Sequence, residues 1–200
     1  LDLLRLQRLS KNFVVSSPDS PLSLAPSHKR GSRHGGGLFL GSIEQGELSK
    51  FEKVVDGKFR GFIRRNEDWV IVADDPARLV VCDEEFSVKG EIHINGSRPC
   101  GIAAIDDETC AVVSADGPVW EVSVKSGRVR TIANVSDSEL RLHHPNDCAW
   151  DGKELWLTFF ASKSLDWRRS KESGGVATLG IGGGGLRIRE TGSFMPHTPV

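Results

Sequence analysis

The densest group of polar side chains in the sequence is the run 143–147, which reads His-His-Pro-Asn-Asp. Histidine can act as a general base or a metal ligand near neutral pH, and the oxygens of Asn and Asp suit Ca²⁺ or Mg²⁺. The same Asn-Asp pair is also typical of a turn before a strand. Three roles therefore stay open for Asn146 and Asp147: a turn, a ligand contact, or a divalent-metal site.

Two other segments carry side chains suited to binding. His197 stands between two prolines, which restrict the backbone and suit a histidine held in place for a contact or a proton transfer; plain packing is the alternative. Trp167 and Arg168 lie in a basic insertion. This insertion could hold an anionic or sugar-like ligand by charge and by stacking, or it could be an ordinary solvated loop.

An internal repeat of 40 residues indicates which elements position these groups. Arg60 aligns with Cys100 without gaps for a full unit, and Asn146 takes the same place in a third copy, where the period grows to 46 residues. Each copy alternates short strands rich in Val, Ile, Trp and Phe with turn residues. Three or four strands in such a period are typical of a propeller blade. We predict an all-β, β-propeller-like fold of about four blades of antiparallel strands, part of a larger propeller, with a β-sandwich as the main alternative.

The repeat also divides the chain into segments. Residues 1–11 are expected to form a leader, with a short helix as one option. Residues 12–200 are assigned to blades, at approximately 12–58, 59–98, 99–143 and 144–195, with a further blade starting at 196. Because the chain ends at the start of a blade, we expect a fragment or a sheet completed by partners, and open blade edges would favour self-association.

Equivalent positions of the repeat should converge if the fold is a propeller. The first strand of each blade lines the central channel, so residues at its start meet at one face, and Arg98 aligns with His144 there. A ring of mixed polar groups at a channel mouth is the expected ligand site. The candidate catalytic residues are His144 and His197. The predicted ligand contacts are Arg60, Arg98, His144, Asn146, Trp167, Arg168 and His197.

Composition excludes several classes of partner. The net charge is −1, with 26 basic and 27 acidic residues, which argues against nucleic-acid binding and against an anionic membrane surface. No stretch approaches the 18 or so apolar residues of a membrane span. The four cysteines form no C-x-x-C pair, so a zinc ribbon is not indicated. Reduced thiols, most of them in the core, and a cytoplasmic location are expected.

The stretch from His144 to Pro199 resembles an uncharacterised family of bacterial conserved hypothetical proteins with a propeller-like repeat. That family shows a His-x-Asn-Gly opening and a Ser-Met-Pro-His-Ser-Pro motif. Here Asp147 replaces the glycine and Thr198 replaces the second serine. The resemblance implies a fold and a site and assigns no reaction. The matching residues are His144, Pro145 and Asn146, Leu157 and Thr158, Trp167 and Arg168, Gly174 and Gly175, and 194–199.

The Pro-Asn-Asp run at 145–147 is also similar to the blade openings of calcium-dependent lactonases of the gluconolactonase and senescence-marker group. That similarity implies Ca²⁺ or another divalent metal near Asn146. Two functions follow. The first is a propeller that binds a small polar or anionic ligand, or a peptide, at the channel mouth. The alternative is a divalent-metal-assisted hydrolase or lactonase, in which His144 or His197 moves the proton. Whether the protein is an enzyme is left open.

Overall fold

The structure is a computed structural model, and it describes residues 11–17, 36–44, 46–74, 76–162, 174–182 and 184–193. Within these ranges all regular secondary structure is β, in fifteen strands, so the predicted all-β class is confirmed. The described residues include no helix that is long and apolar enough to cross a membrane. The chain divides into two compact units, residues 1–60 and 61–200.

The first unit contains one antiparallel sheet of three strands in the order β1-β2-β3. Its strands are β1 (Lys11–Ser17), β2 (Gly37–Glu44) and β3 (Glu47–Asp56). Phe39 of β2 stacks on Phe51 of β3 with ring centroids 5.2 Å apart. This aromatic contact joins the buried Phe39 to a third strand that is largely exposed.

The second unit contains three antiparallel sheets of four strands, each paired in chain order. The second sheet comprises β4 (Phe59–Arg65), whose first residues belong to the first unit, β5 (Asp68–Ala73), β6 (Arg78–Cys82) and β7 (Val88–His93). The third sheet comprises β8 (Pro99–Ala104), β9 (Thr109–Ser114), β10 (Pro118–Ser123) and β11 (Val129–Asn134). The fourth sheet comprises β12 (Leu142–Trp150), β13 (Leu155–Ser162), β14 (Gly174–Leu179) and β15 (Leu186–Ser193).

The third sheet is buried on both faces. Successive side chains of a strand point to opposite faces, and in β9 both sets are apolar. Cys110 and Val112 pack into a core with the second sheet, whereas Ala111 and Val113 pack into a core with the fourth sheet. This two-sided burial explains why β9 lacks the apolar-polar alternation of a half-exposed strand.

The cysteines are free thiols, as expected from the sequence. Cys82, Cys110 and Cys148 are buried in strands, and Cys100 is half-buried. Burial raises the pKa of Cys110 to about 12, so this thiol stays protonated in the native protein. The buried cysteines therefore serve as small apolar core residues.

The first strands of neighbouring sheets approach closely in the second unit. A Cβ atom added to Gly101 of β8 would lie 2.7 Å from the Cα of Asp147 in β12, and one added to Gly61 of β4 would lie 3.3 Å from the carbonyl oxygen of Cys100. Gly61, Gly101 and Asp147 are equivalent positions of the repeat. The fold thus brings the repeat copies together at these residues.

The boundaries of the leader and of the blades remain predictions from the sequence. Of the predicted leader, the structure describes only Lys11, the first residue of β1, and the start of a further blade at 196 lies outside the described residues.

Candidate functional site

Arg98 and His144, which the repeat aligns, lie together in the structure. Arg98 immediately precedes β8 and His144 is the third residue of β12, so they belong to different sheets. The Nη2 atom of Arg98 is 3.4 Å from the Nδ1 atom of His144. A guanidinium group can only donate, so a hydrogen bond between these two atoms requires an unprotonated Nδ1 on His144.

The backbone at both positions adopts the left-handed conformation. The φ angle is 49° at Arg98 and 52° at His144. Residues other than glycine seldom adopt this conformation, and such residues cluster at binding and catalytic sites. The same uncommon backbone therefore recurs at two equivalent positions and directs two polar side chains to one place.

Asp116 holds the Arg98 side chain in position. Its Oδ1 accepts a hydrogen bond from Arg98 Nη1 at 3.0 Å, and its Oδ2 accepts one from the Ser97 hydroxyl. The Asp116 N–H in turn donates to the Ser114 hydroxyl at 3.0 Å. The side chains of Arg98 and Asp116 are 50% and 39% exposed, so a ligand can reach both partners.

His144 is held by an aromatic contact. Its ring stacks on Phe160 of β13, with centroids 4.6 Å apart and planes at 28°. Phe160 is itself buried. The adjacent His143 is half-buried, and its burial, together with the charge of Arg141, lowers the pKa of this histidine. The site therefore combines one immobilised imidazole with a neighbouring histidine that resists protonation.

Cys100, predicted at the channel position, joins two sheets. Its Sγ lies 3.3 Å from the carbonyl oxygen of Val113 and 3.2 Å from that of Pro145. One thiol proton can serve either acceptor, and the second acceptor belongs to β12. These contacts give Cys100 a structural part beneath the Arg98–His144 pair.

Asn146 and Asp147 lie inside β12, and not in a turn before the strand. The pairing of β12 with β13 shifts register between Pro145 and Asp147, so Asn146 occupies an irregularity of the sheet. The Asp147 Oδ1 accepts the N–H of Cys148 at 2.8 Å. In the described ranges, no three His, Cys, Asp or Glu side chains are grouped in a way that could hold a metal ion. The described residues thus do not complete the predicted divalent-metal site, which stays a prediction.

Four of the other predicted contacts lie in the first unit or outside the described residues. Arg60 belongs to the first unit, where its carbonyl oxygen accepts the Ser16 hydroxyl at 2.9 Å. Trp167, Arg168 and His197 lie outside the described residues. Their membership of the site stays a prediction.

Sequence reasoning missed two members of the cluster, Asp116 and Phe160. Asp116 stands in the Ala-Asp-Gly run at 115–117, which is typical of a turn. A topological signal was available for it, because every second connection of an antiparallel meander lies at the same end of the sheet. The turn that contains Asp116 joins β9 to β10, and it therefore lies at the end where β8 begins. Phe160 has no comparable signal, because its contact with His144 depends on the exact register of β12 and β13.

The four antiparallel sheets of three or four strands define a β-propeller-like protein. No family model matches the sequence, and no curated protein matches it. One similar solved structure is a chain in a crystal structure of a nidogen/laminin complex, with a TM-score of 0.65 and 10% identity; the match covers 94% of this chain and 65% of that one.

A second similar structure is a protein of unknown function from Bacteroides caccae. Its TM-score is 0.57 at 12% identity, and the match covers 82% of this chain and 67% of that one. At such identities both similarities show the fold alone. They agree with an uncharacterised propeller-like group, whereas the motif resemblance stays a prediction. The chain spans less than two thirds of the nidogen/laminin-complex chain that it matches.

Proposed function

We propose that this protein is a β-propeller-like binding protein that holds a small polar or anionic ligand, or a peptide, at the cluster of Arg98, Asp116 and His144. The observation that carries the proposal is the approach of Arg98 to His144 from two different sheets. Left-handed backbone at a non-glycine residue costs on the order of 1–3 kcal/mol. The fold accepts this cost at both positions, which favours a role in binding over simple packing.

The cluster offers complementary groups to a ligand. The Arg98 guanidinium can donate to a carboxylate or phosphate in a planar, two-bond geometry. The Asp116 carboxylate, already bonded to Arg98, can accept from a hydroxyl or an amide. The His144 ring presents a fixed polar edge because Phe160 supports its face. We therefore favour an anionic ligand that also carries hydroxyl or amide donors.

The other predicted contacts would enlarge this site. Asn146 follows His144 by two residues, and Trp167, Arg168 and His197 are proposed to contribute as well. The metal-assisted hydrolase has no comparable support, because the described residues gather no three-carboxylate or histidine-rich metal set. A cytoplasmic location and self-association through open sheet edges also stay predictions.

The proposal can be tested by ligand binding to designed variants. Sugar acids, nucleotides, dicarboxylates and short acidic peptides would first be screened by thermal shift, and hits measured by calorimetry. Arg98→Asn and His144→Asn remove the functional groups while keeping a residue that tolerates left-handed backbone. Each change should weaken binding about tenfold or more, the effect of losing one charge-assisted hydrogen bond.

Arg130 provides a matched control for Arg98. It is also an exposed arginine in one ion pair, with Glu121 at 2.9 Å, but it lies on β11, the last strand of its sheet. Arg130→Asn should leave affinity unchanged. Equal affinity in wild type, Arg98→Asn and His144→Asn for every ligand that binds would refute the proposed site.

A further inference from the structure

A groove of about 610 Å³ opens between the second and third sheets. It is lined by the turns that join β4 to β5, β8 to β9 and β10 to β11, and these turns lie at the opposite end of the sheets from Arg98. Its volume falls within the range of small-molecule sites, roughly 300–1,000 Å³. Its apolar lining includes Val70, Ile92 and Val124. This groove is separate from the Arg98–His144 cluster.

Arg65 gives the groove an unusual charge. It ends β4, lines the groove and is only 9% exposed. One terminal nitrogen, Nη2, donates to the carbonyl oxygen of Asp106. The other, Nη1, is buried and has no hydrogen-bond partner among the described residues. Buried charged groups are normally paired, so this arginine retains an unmet capacity to donate.

The repeat shows that packing alone does not require an arginine at this position. The equivalent residue of the next copy is Ile105, an apolar side chain packed against the core. An isoleucine thus meets the structural needs of the same place in the neighbouring sheet. The positive charge at Arg65 is therefore a feature of this copy that packing does not require.

Most acidic side chains around the groove have partners other than Arg65, although the N–H of Glu108 and the charge of Arg65 both help to lower the pKa of Asp106. The Oδ1 of Asp106 accepts the N–H groups of Glu108 and Thr109, both at 2.8 Å. Asp107 also lines the groove and is exposed in the β8–β9 turn. Three further carboxylates each pair with another cation. These ion pairs are Lys89–Asp68 at 2.8 Å, Lys125–Glu108 at 2.8 Å and Arg78–Glu91 at 3.1 Å.

We propose that the groove binds a carboxylate attached to an apolar body. The carboxylate accepts from Arg65 after a side-chain rotation that turns Nη1 toward the groove, because a guanidinium fork matches two carboxylate oxygens. The apolar body lies against Ile92 and Val124, since the Val70 side chain is fully buried. The carboxylate can belong to a free small acid or to an acidic residue of a peptide.

The test compares acids with neutral analogues of the same shape. Hexanoate and phenylacetate should bind the wild-type chain in calorimetry, and hexanamide and phenylacetamide should not. Arg65→Leu, which approaches the side chain of the next repeat copy, should weaken hexanoate binding about tenfold or more. Arg130→Asn, at an exposed arginine on β11, should leave hexanoate binding unchanged. Arg65→Leu should leave binding at the Arg98–His144 cluster unchanged, so the two proposed sites can fail separately.

Further experiments distinguish a free acid from a peptide as the source of the carboxylate, and they allow for a variant that does not fold. A capped Val-Glu-Val peptide that binds better than the free acids would assign the groove to a protein partner, and the reverse order would assign it to a small acid. If Arg65→Leu does not fold, Arg65→Lys keeps the charge without the planar fork and should still weaken binding. The proposal is overturned if no carboxylate binds, if hexanamide binds equally well, or if a folded Arg65 variant retains full affinity.

Discussion

Replacing Gly101 by alanine tests the close approach of β8 and β12 directly. The new Cβ would lie 2.7 Å from the Asp147 Cα, and 2.9 Å from both the Asp147 Oδ1 and the Cys148 nitrogen. Two of these three atoms are backbone, which cannot move aside as a flexible side chain could. The strands must therefore separate, or the sheets must shift, before the methyl group fits.

The expected cost follows from this geometry. Adding a methyl group to a well-packed site typically costs about 1–3 kcal/mol. Replacing glycine also restricts the unfolded chain, which returns about 0.4–1 kcal/mol. The net destabilisation of Gly101→Ala should then be on the order of 1–2 kcal/mol. For a chain of this size each kcal/mol lowers Tm by roughly 2–4 °C, so we expect a fall of about 2–8 °C.

Two other glycines supply graded controls within the second unit. A Cβ at Gly61 would come no closer than 3.3 Å to Cys100, and one at Gly90 would meet nothing within 4 Å. Gly90→Ala should be neutral or slightly stabilising, and Gly61→Ala should fall between the two. Thermal and urea unfolding of all three variants measure the order. If Gly101→Ala is as stable as Gly90→Ala, the close approach of these strands is not a tight contact in solution.

Three further predictions concern the core and two titrating groups. Phe159→Ala removes a fully buried ring between the third and fourth sheets, and it should cost about 3–5 kcal/mol in urea unfolding; a loss below about 1 kcal/mol would contradict the described core. Hydrogen bonds from the N–H of Glu154 and the indole N–H of Trp156 lower the pKa of Asp151 to about 2. The ionised Asp151 carboxylate therefore stabilises the folded chain above about pH 4, and this contribution is lost as the pH falls toward 2. Asp151→Asn should flatten the fall of Tm in that window, and an unchanged acid profile would contradict the assignment. Burial lowers the pKa of His143 below its usual 6.5. As the pH falls, His143 is therefore protonated in the unfolded chain before it is protonated in the folded chain, and the stability declines below about pH 6.5. His143→Gln should reduce this decline in Tm, and an identical profile would refute it.

The repeat allowed most of the second unit to be predicted from sequence. Strand-turn-strand patterning predicted the all-β class because short runs of Val, Ile and Trp between turn residues are typical of strands. The 40-residue spacing then aligned Gly61 with Gly101, and the structure places a strand of one copy against the next at these residues. The burial of β9 on both faces could not be predicted from periodicity, because a continuous apolar run does not show how many sheets pack against the strand.

The approach of Arg98 to His144 was predicted because the repeat carried the information. Arg98 and His144 could be paired because equivalent positions at strand starts converge. The irregularity at Asn146 could not be predicted, because a shift of register depends on how two strands pair and not on one segment. The stacking of His144 on Phe160 could not be predicted for the same reason, because it depends on how β12 pairs with β13. Local patterns thus gave the positions of polar groups, and strand register decided their contacts.

In a repeat protein, equivalent positions of the copies can be compared, and this comparison distinguishes residues required for packing from residues that are not. Copies share a backbone, so a position that stays small in two copies, as at Gly61 and Gly101, records a packing constraint. A position that changes chemistry while the backbone stays the same is not explained by packing. Arg98 and His144 share left-handed backbone with different polar groups, and Arg65 places a buried charge where Ile105 is apolar. At both candidate binding regions of this chain, the copies therefore agree in structure and differ in chemistry.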